Sequence, residues 1–140
     1  MTALPTDALI ADRVEIADLF TRFSRLLDEK RWDDAHTVFA EDVTSHSPRG
    51  GEIHGLDRLI AFVRQSEVEG ERTQHLTTDL LAEIEGNRAA VSANSLVYFF
   101  RDGQAPHLTS GLRLSGTAVR TPAGWRLRES WTVLAWTRKD

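Results

Sequence analysis

Residues 72–137, RTQHLTTDLLAEIEGNRAAVSANSLVYFFRDGQAPHLTSGLRLSGTAVRTPAGWRLRESWTVLAWT, decide the fold. Apolar character recurs with period two, the signature of half-buried strands. Turn signals interrupt it at EGN around Gly86, at RDGQAP from Arg101 to Pro106 and at TPAG from Thr121 to Gly124. The spacing predicts four long strands, at about 72–84, 88–101, 106–120 and 124–137, paired as an antiparallel meander.

The preceding half reads as helices. Leu9, Ile10, Val14, Ile16, Ala17, Leu19, Phe20, Phe23, Leu26 and Leu27 recur at helical spacing, with Thr6 and Asp7 as an expected N-cap. A short charged link leads to a second helical segment, Trp32 to Phe39. Asp42 to Ser47 is a candidate brief strand, Ser47 to Gly51 a turn or loop, and Gly55 to Val68 a third helix with Leu56, Leu59, Ile60, Phe62 and Val63 as its buried stripe. Helices first and strands after predict an α+β layer fold, expected as one domain over residues 1–140.

Composition narrows the function classes. Hydrophobic residues make up 41% and charged residues 27%, which is ordinary for a globular chain and too apolar for a disordered one. The formal charge is −4 and the 17 Lys and Arg are scattered, so no basic field invites nucleic acid. The absence of cysteine excludes disulfides, thiolate nucleophiles and Cys-ligated metals. The N-terminal MTALPTDALIADR has no basic stretch leading into a long apolar run, and no segment has the length of a membrane span. A cytoplasmic protein without a membrane partner is the expectation.

Chemistry must come from polar side chains in apolar places. In the last strand the odd positions read Trp125, Leu127, Glu129, Trp131, Val133 and Ala135, which would make Glu129 the one acid on an apolar face. In the strand from Thr73, alternation puts His75, Thr77, Asp79 and Leu81 on one face, so that His75 and Asp79 would border one cavity. His75 is the best general acid or base available, because imidazole exchanges protons near neutral pH. A histidine bonded to its neighbours at a pocket edge is the plainer alternative. Asp28 closes the first helix before Glu29, Lys30 and Arg31, a place where an aspartate is usually solvated. His46 lies in the polar TSHSP stretch, His54 precedes a glycine, and His36 and His107 read as exposed. No histidine pair has metal-site spacing, and GxSxG, a P-loop and GxGxxG are absent.

Four stretches carry a resemblance over nearly the whole chain: RLLDEKRWDDAHTVFAEDV (25–43), IHGLDRLIAFV (53–63), TQHLTTDLLAEIEGNRAAV (73–91) and AGWRLRE (123–129). They resemble the SnoaL-like members of the nuclear-transport-factor-two-like superfamily, whose relatives include scytalone dehydratase, bile acid dehydratase, polyketide cyclases and binding modules. The resemblance implies a cone-shaped α+β barrel in which helices close a strongly curved antiparallel sheet around an apolar pocket. It implies that Asp28 and His75 meet across that pocket, the carboxylate orienting the imidazole that moves a proton beside a carbonyl or hydroxyl. One departure stands out: the tyrosine that those dehydratases carry about one helical turn before the aspartate is replaced here by Phe23 and Leu27. The chain's single tyrosine, Tyr98, as well as His46 and Glu129, remain open as the missing proton donor.

The leading expectation is a cofactor-independent dehydratase, cyclase or isomerase acting on a small, largely apolar, oxygenated molecule. Asp28 and His75 would be catalytic, and His46, Asp79, Tyr98, Glu129, Trp32, Phe62, Phe100 and Trp131 would line the substrate. A non-catalytic binding or dimerisation module is the runner-up, with Asp28 and His75 as a pocket-lining ion pair. A third reading, epoxide hydrolysis, would need an Asp, Arg, Asp set, for which Arg113 and Asp79 are conceivable members. The resemblance further implies a homodimer through the exposed sheet face, with Leu112, Leu134 and Trp136 as its apolar patch.

Overall fold

A computed structural model describes residues 6–140. The elements run α1 (Thr6–Asp28), a 3-10 turn (Trp32–Thr37), β1 (Phe39–Ser47), β2 (Gly51–His54), α2 (Leu56–Gln65), β3 (Arg72–Glu85), β4 (Arg88–Phe100), β5 (Leu108–Thr121) and β6 (Gly124–Lys139). The strands form one six-stranded sheet in the order β2-β1-β6-β5-β4-β3. Every neighbouring pair is antiparallel except β1 and β6, which run parallel.

The four predicted strands and the long first helix are present within a few residues of their expected bounds. Four expectations need correction. The sheet is mixed and six-stranded, because β1 begins at Phe39 and, beyond the turn expected after Ser47, the chain pairs back on β1 as a further strand, β2. The second helix is only a 3-10 turn, and the third stops at Gln65. The N-cap expected at Thr6 and Asp7 comes too late: Thr6 is already helical, and the residues before it lie outside the described ones.

α1 buries Asp12, Ile16, Leu19, Phe20 and Leu26 at helical spacing and leaves Ile10 and Val14 toward solvent. It packs on β3 and β6, and α2 covers β1 and β2. Trp125, Ile16, Leu19, Leu127, Val38 and Val43 are fully buried at the centre, each such side chain contributing roughly 1.5–3 kcal/mol through burial. An ionic clasp crosses this core. Asp12 accepts both terminal N–H groups of Arg120 at 2.7 Å and the Trp125 indole N–H at 3.1 Å. The guanidinium also lies over the Trp125 ring, 4.7 Å from its centroid. The Arg120 hydrogen bond, opposed by burial and helped by the indole N–H and the Arg120 charge, holds the Asp12 carboxyl below its ordinary value.

Two irregularities in β6 decide which residues face inward. Leu127 pairs with Ala118 and Glu129 with Thr117, which leaves Arg128 as an extra residue. Leu134 pairs with Leu112 and Trp136 with Gly111, which leaves Ala135 as another. An inserted residue turns the following side chains to the opposite face. Trp125 and Leu127 are therefore buried, whereas after Arg128 it is Ser130 and Thr132 that face inward. Glycines accommodate both places. A Cβ on Gly116 would lie 2.3 Å from the Glu129 carbonyl oxygen, and one on Gly111 would lie 2.3 Å from the Trp136 ring.

Candidate functional site

α1 ends on Asp28, and the chain reverses through Lys30 at φ 55°, with the Arg31 N–H returning to the Leu26 carbonyl at 3.0 Å. A carboxylate at the negative end of a helix is electrostatically unfavourable, so it needs donors from elsewhere, and β3 supplies three. His75 Nδ1–H donates to Asp28 Oδ1 at 2.5 Å, the His75 backbone N–H to Oδ2 at 2.9 Å, and the Thr73 hydroxyl to Oδ1 at 3.0 Å. Burial pushes the Asp28 carboxyl up. The His75 side-chain and backbone hydrogen bonds, the His75 charge and the Thr73 hydroxyl together outweigh it, and the net shift is downward. An ionised Asp28 takes the proton-bearing Nδ1 of the neutral ring, which leaves the Nε2 lone pair free.

The dyad is sheltered, with side-chain exposures of 13% for His75 and 21% for Asp28. His75 lines a cavity of about 430 Å³ whose apolar wall includes Trp32, Phe62, Val97, Phe99, Leu112 and Leu134. A deeper recess of about 150 Å³, between Phe23, Phe39, Leu56 and Ile60, shares Leu27, Trp32, Phe62 and Val63 with it. Thr73, Ser110, Thr132 and Thr137 add hydroxyls to the larger wall. The Trp32 indole is fixed by donating to Glu67 at 2.9 Å. Beside His75, the hydroxyls of Ser24, Thr77 and Ser95 form a chain with spacings of 3.1 and 3.4 Å that ties α1 to β3 and β4.

Of the residues expected at the site, Asp28, His75, Trp32 and Phe62 are brought together. The other six are on the opposite, outer face or away from the cavity, each for an identifiable reason. The extra residue Arg128 turns Glu129 and Trp131 outward. There His46 stacks on Trp131, with centroids 4.6 Å apart, and its ring nitrogens lie 3.5 and 3.6 Å from Glu52 and Glu129. Asp79 sits in a break of the β3–β4 register at φ 56°, which takes it off the His75 face. It is exposed and accepts the Asn94 amide at 2.9 Å. Tyr98 pairs with Gln74 and Thr109, whose side of the sheet is opposite that of His75, Val97 and Ser110. Phe100 meets Arg72 instead of the cavity, and Phe99 takes the place expected for it.

The sets considered for other readings also separate. Arg113 lies in register with Asn94 and Val133 on the outer side, so it and Asp79 form no water-activating group in the cavity. Leu112 and Leu134 line the cavity; of the three residues expected in the outer patch only Trp136 belongs there. Thr73 and Phe99 were missed. The period-two pattern that selected His75 also places Thr73 on its face, and the first residue of the TQH motif was the available signal.

Comparison with known proteins agrees with the fold. Residues 8–130 match the SnoaL-like domain family. An uncharacterized protein of Mycobacterium tuberculosis is 30% identical over 127 residues, covering 86% of this chain and 83% of its own. Among solved structures, a type 2 hexachlorocyclohexane dehydrochlorinase superposes with a TM-score of 0.82 at 13% identity, over 94% of this chain and 90% of that one. A nuclear-transport-factor-2-like superfamily protein from Salmonella enterica gives 0.78 at 16% identity, over 90% and 92%. No helix among the described residues is long and apolar enough to cross a membrane. With its helices packed on a six-stranded mixed sheet, the chain belongs to the SnoaL-like family and has the nuclear-transport-factor-2-like fold.

Proposed function

We propose that this protein is an enzyme of the lyase or isomerase type that moves a proton on a small, largely apolar, oxygenated molecule without a cofactor, as in dehydration, cyclisation or isomerisation. The observation that carries the reading is the 2.5 Å hydrogen bond from His75 Nδ1 to Asp28 on the wall of an apolar cavity. A base fixed in one tautomer beside an apolar site that positions its substrate has the arrangement that general acid–base catalysis needs. For a dehydration, Nε2 takes the proton from a carbon next to a carbonyl, and that C–H electron pair becomes the new double bond. The C–O bond breaks, and the departing hydroxyl takes the proton back from the imidazolium and leaves as water. His46, Tyr98 and Glu129 lie outside the cavity, so His75 is the group positioned for both transfers.

Histidine nitrogen spectra test the dyad directly. The expected result is an Nδ1–H tautomer for His75 with a strongly downfield Nδ1 proton, which is lost in Asp28→Asn. An unchanged tautomer in that variant would leave the cavity as the pocket of a binding module. We further propose a homodimer through the outer face, where Leu76, Trp131, Val133 and Trp136 are 37–55% exposed on the side away from the cavity. Exposed apolar groups gathered on one sheet face favour association with a like surface. Sedimentation equilibrium should give twice the chain mass, and Trp136→Glu should shift it to the monomer; a monomeric wild type would refute the dimer.

A further inference from the structure

The cavity that holds His75 has an uneven rim. Five charged side chains line it: Lys30, Arg49, Glu67, Glu71 and Lys139. Both acids are engaged. Glu67 accepts the Trp32 indole at 2.9 Å and lies 4.0 Å from Lys30, and Glu71 is 2.9 Å from His107 Nε2. Arg49, in the turn between β1 and β2, and Lys139, at the end of β6, make no ion pair and no side-chain hydrogen bond among the described residues. Two cations without counter-charges therefore stand at the mouth of an apolar chamber, and the charge is local, since the whole chain is at −4.

We propose that the substrate is an apolar molecule bearing a carboxylate, whose charged end is held at the rim by Arg49 and Lys139 while its body lies against Phe99, Leu112 and Leu134 near His75. This deepens the acid–base reading above and rests on it. A cleft with low-dielectric walls focuses the field of its rim charges and draws in ligands of opposite sign. The planar guanidinium matches a carboxylate in two hydrogen bonds, and the ammonium adds a point charge. Two monocations suit a single carboxylate. The apolar walls of the chamber would desolvate a charge placed deeper, at a cost that the rim position avoids.

The test compares 2-naphthoate with its neutral isostere 2-naphthamide by calorimetry and by shift changes at His75 in the full chain. Wild type should bind the carboxylate about tenfold more tightly, a preference that 1 M salt should erase because exposed charges are then screened within about 3 Å. Arg49→Gln with Lys139→Gln should lower the naphthoate affinity about tenfold and leave naphthamide unchanged, since each exposed pair contributes modestly. His75→Gln should keep the preference. Equal binding of the two probes by wild type, the same preference in the double variant, or no binding of either probe would each overturn the proposal. Failure here is separable from failure of the dyad: the tautomer of His75 in Asp28→Asn reads the dyad without any ligand, and the naphthoate preference reads the rim without any catalysis.

Discussion

Replacing His75 by glutamine should lower kcat/KM for dehydration of an apolar β-hydroxy ketone that bears a carboxylate by about 10²–10⁴-fold, the usual contribution of a positioned acid–base group. Glutamine can still donate to Asp28, so the three-donor cradle around that carboxylate is largely kept and the fold should stand. Asp28→Asn should fall in the same range for a different reason. An amide no longer accepts the Nδ1 proton as a carboxylate does, and the ring is released to other tautomers and rotamers. The two losses should not add, because the pair acts as a unit. Absorbance of the conjugated enone product in the two single variants and the double variant measures all three numbers. A His75→Gln enzyme within about threefold of wild type would remove His75 from the chemistry. Because Asp28 is held below its ordinary value, it should remain ionised through the neutral and mildly acidic range. Its contribution to stability is present above the unfolded carboxylate value and is lost only as the pH falls through the lower folded one.

The largest stability effect is expected at Asp12. Asp12→Ala strips Arg120 of both hydrogen bonds and the Trp125 indole of its acceptor, in a clasp where the Asp12 side chain is 7% exposed and Arg120 37%. The indole N–H is left buried without a partner, while Arg120 can recover water. The expected cost is about 2–3 kcal/mol, which corresponds to a melting temperature lower by roughly 6–10 °C for a chain of this size. The sign with pH follows from the direction of the shift. Asp12 has a folded value below its ordinary one, so its contribution is full above the unfolded value near 3.8 and fades as the pH falls through the folded value. Thermal melts of wild type and variant should therefore converge in strong acid and differ most at neutral pH. A constant difference across that range would mean that the loss is one of packing and not of charge.

Much of the fold was readable from the chain because its signals are local. Alternation over residues 72–137 and the turn clusters at Gly86, Arg101–Pro106 and Thr121–Gly124 place β3 to β6 within a few residues of where they lie. The pairing of β1 beside β6 was not readable, because a parallel contact between residues as far apart as Thr44 and Glu129 leaves no local pattern. The site divides in the same way. Alternation singles out His75, whereas Asp28 is legible only through the motif resemblance, since an aspartate in a charged helix-ending turn reads on its own as solvated. Glu129, Trp131 and Asp79 were misplaced because strict alternation was carried through points where the register slips. Tyr98 and Phe100 were assigned to the cavity on residue type alone, and their even-numbered places in β4 put them on the other side from Val97 and Phe99.

The slip at Arg128 has a wider meaning for how such a pocket changes. Beyond that point, whether a residue belongs to the chamber or to the outer surface is a matter of parity and not of its chemistry. Were Arg128 taken into the ladder and the bulge flattened, Glu129 and Trp131 would replace Ser130 and Thr132 along the inner wall with no letter of the sequence altered. A lineage with this scaffold can thus trade a whole lining, hydroxyls for an acid and an indole, by keeping or flattening one bulge, while α1 and β3 keep the imidazole and its carboxylate where they are.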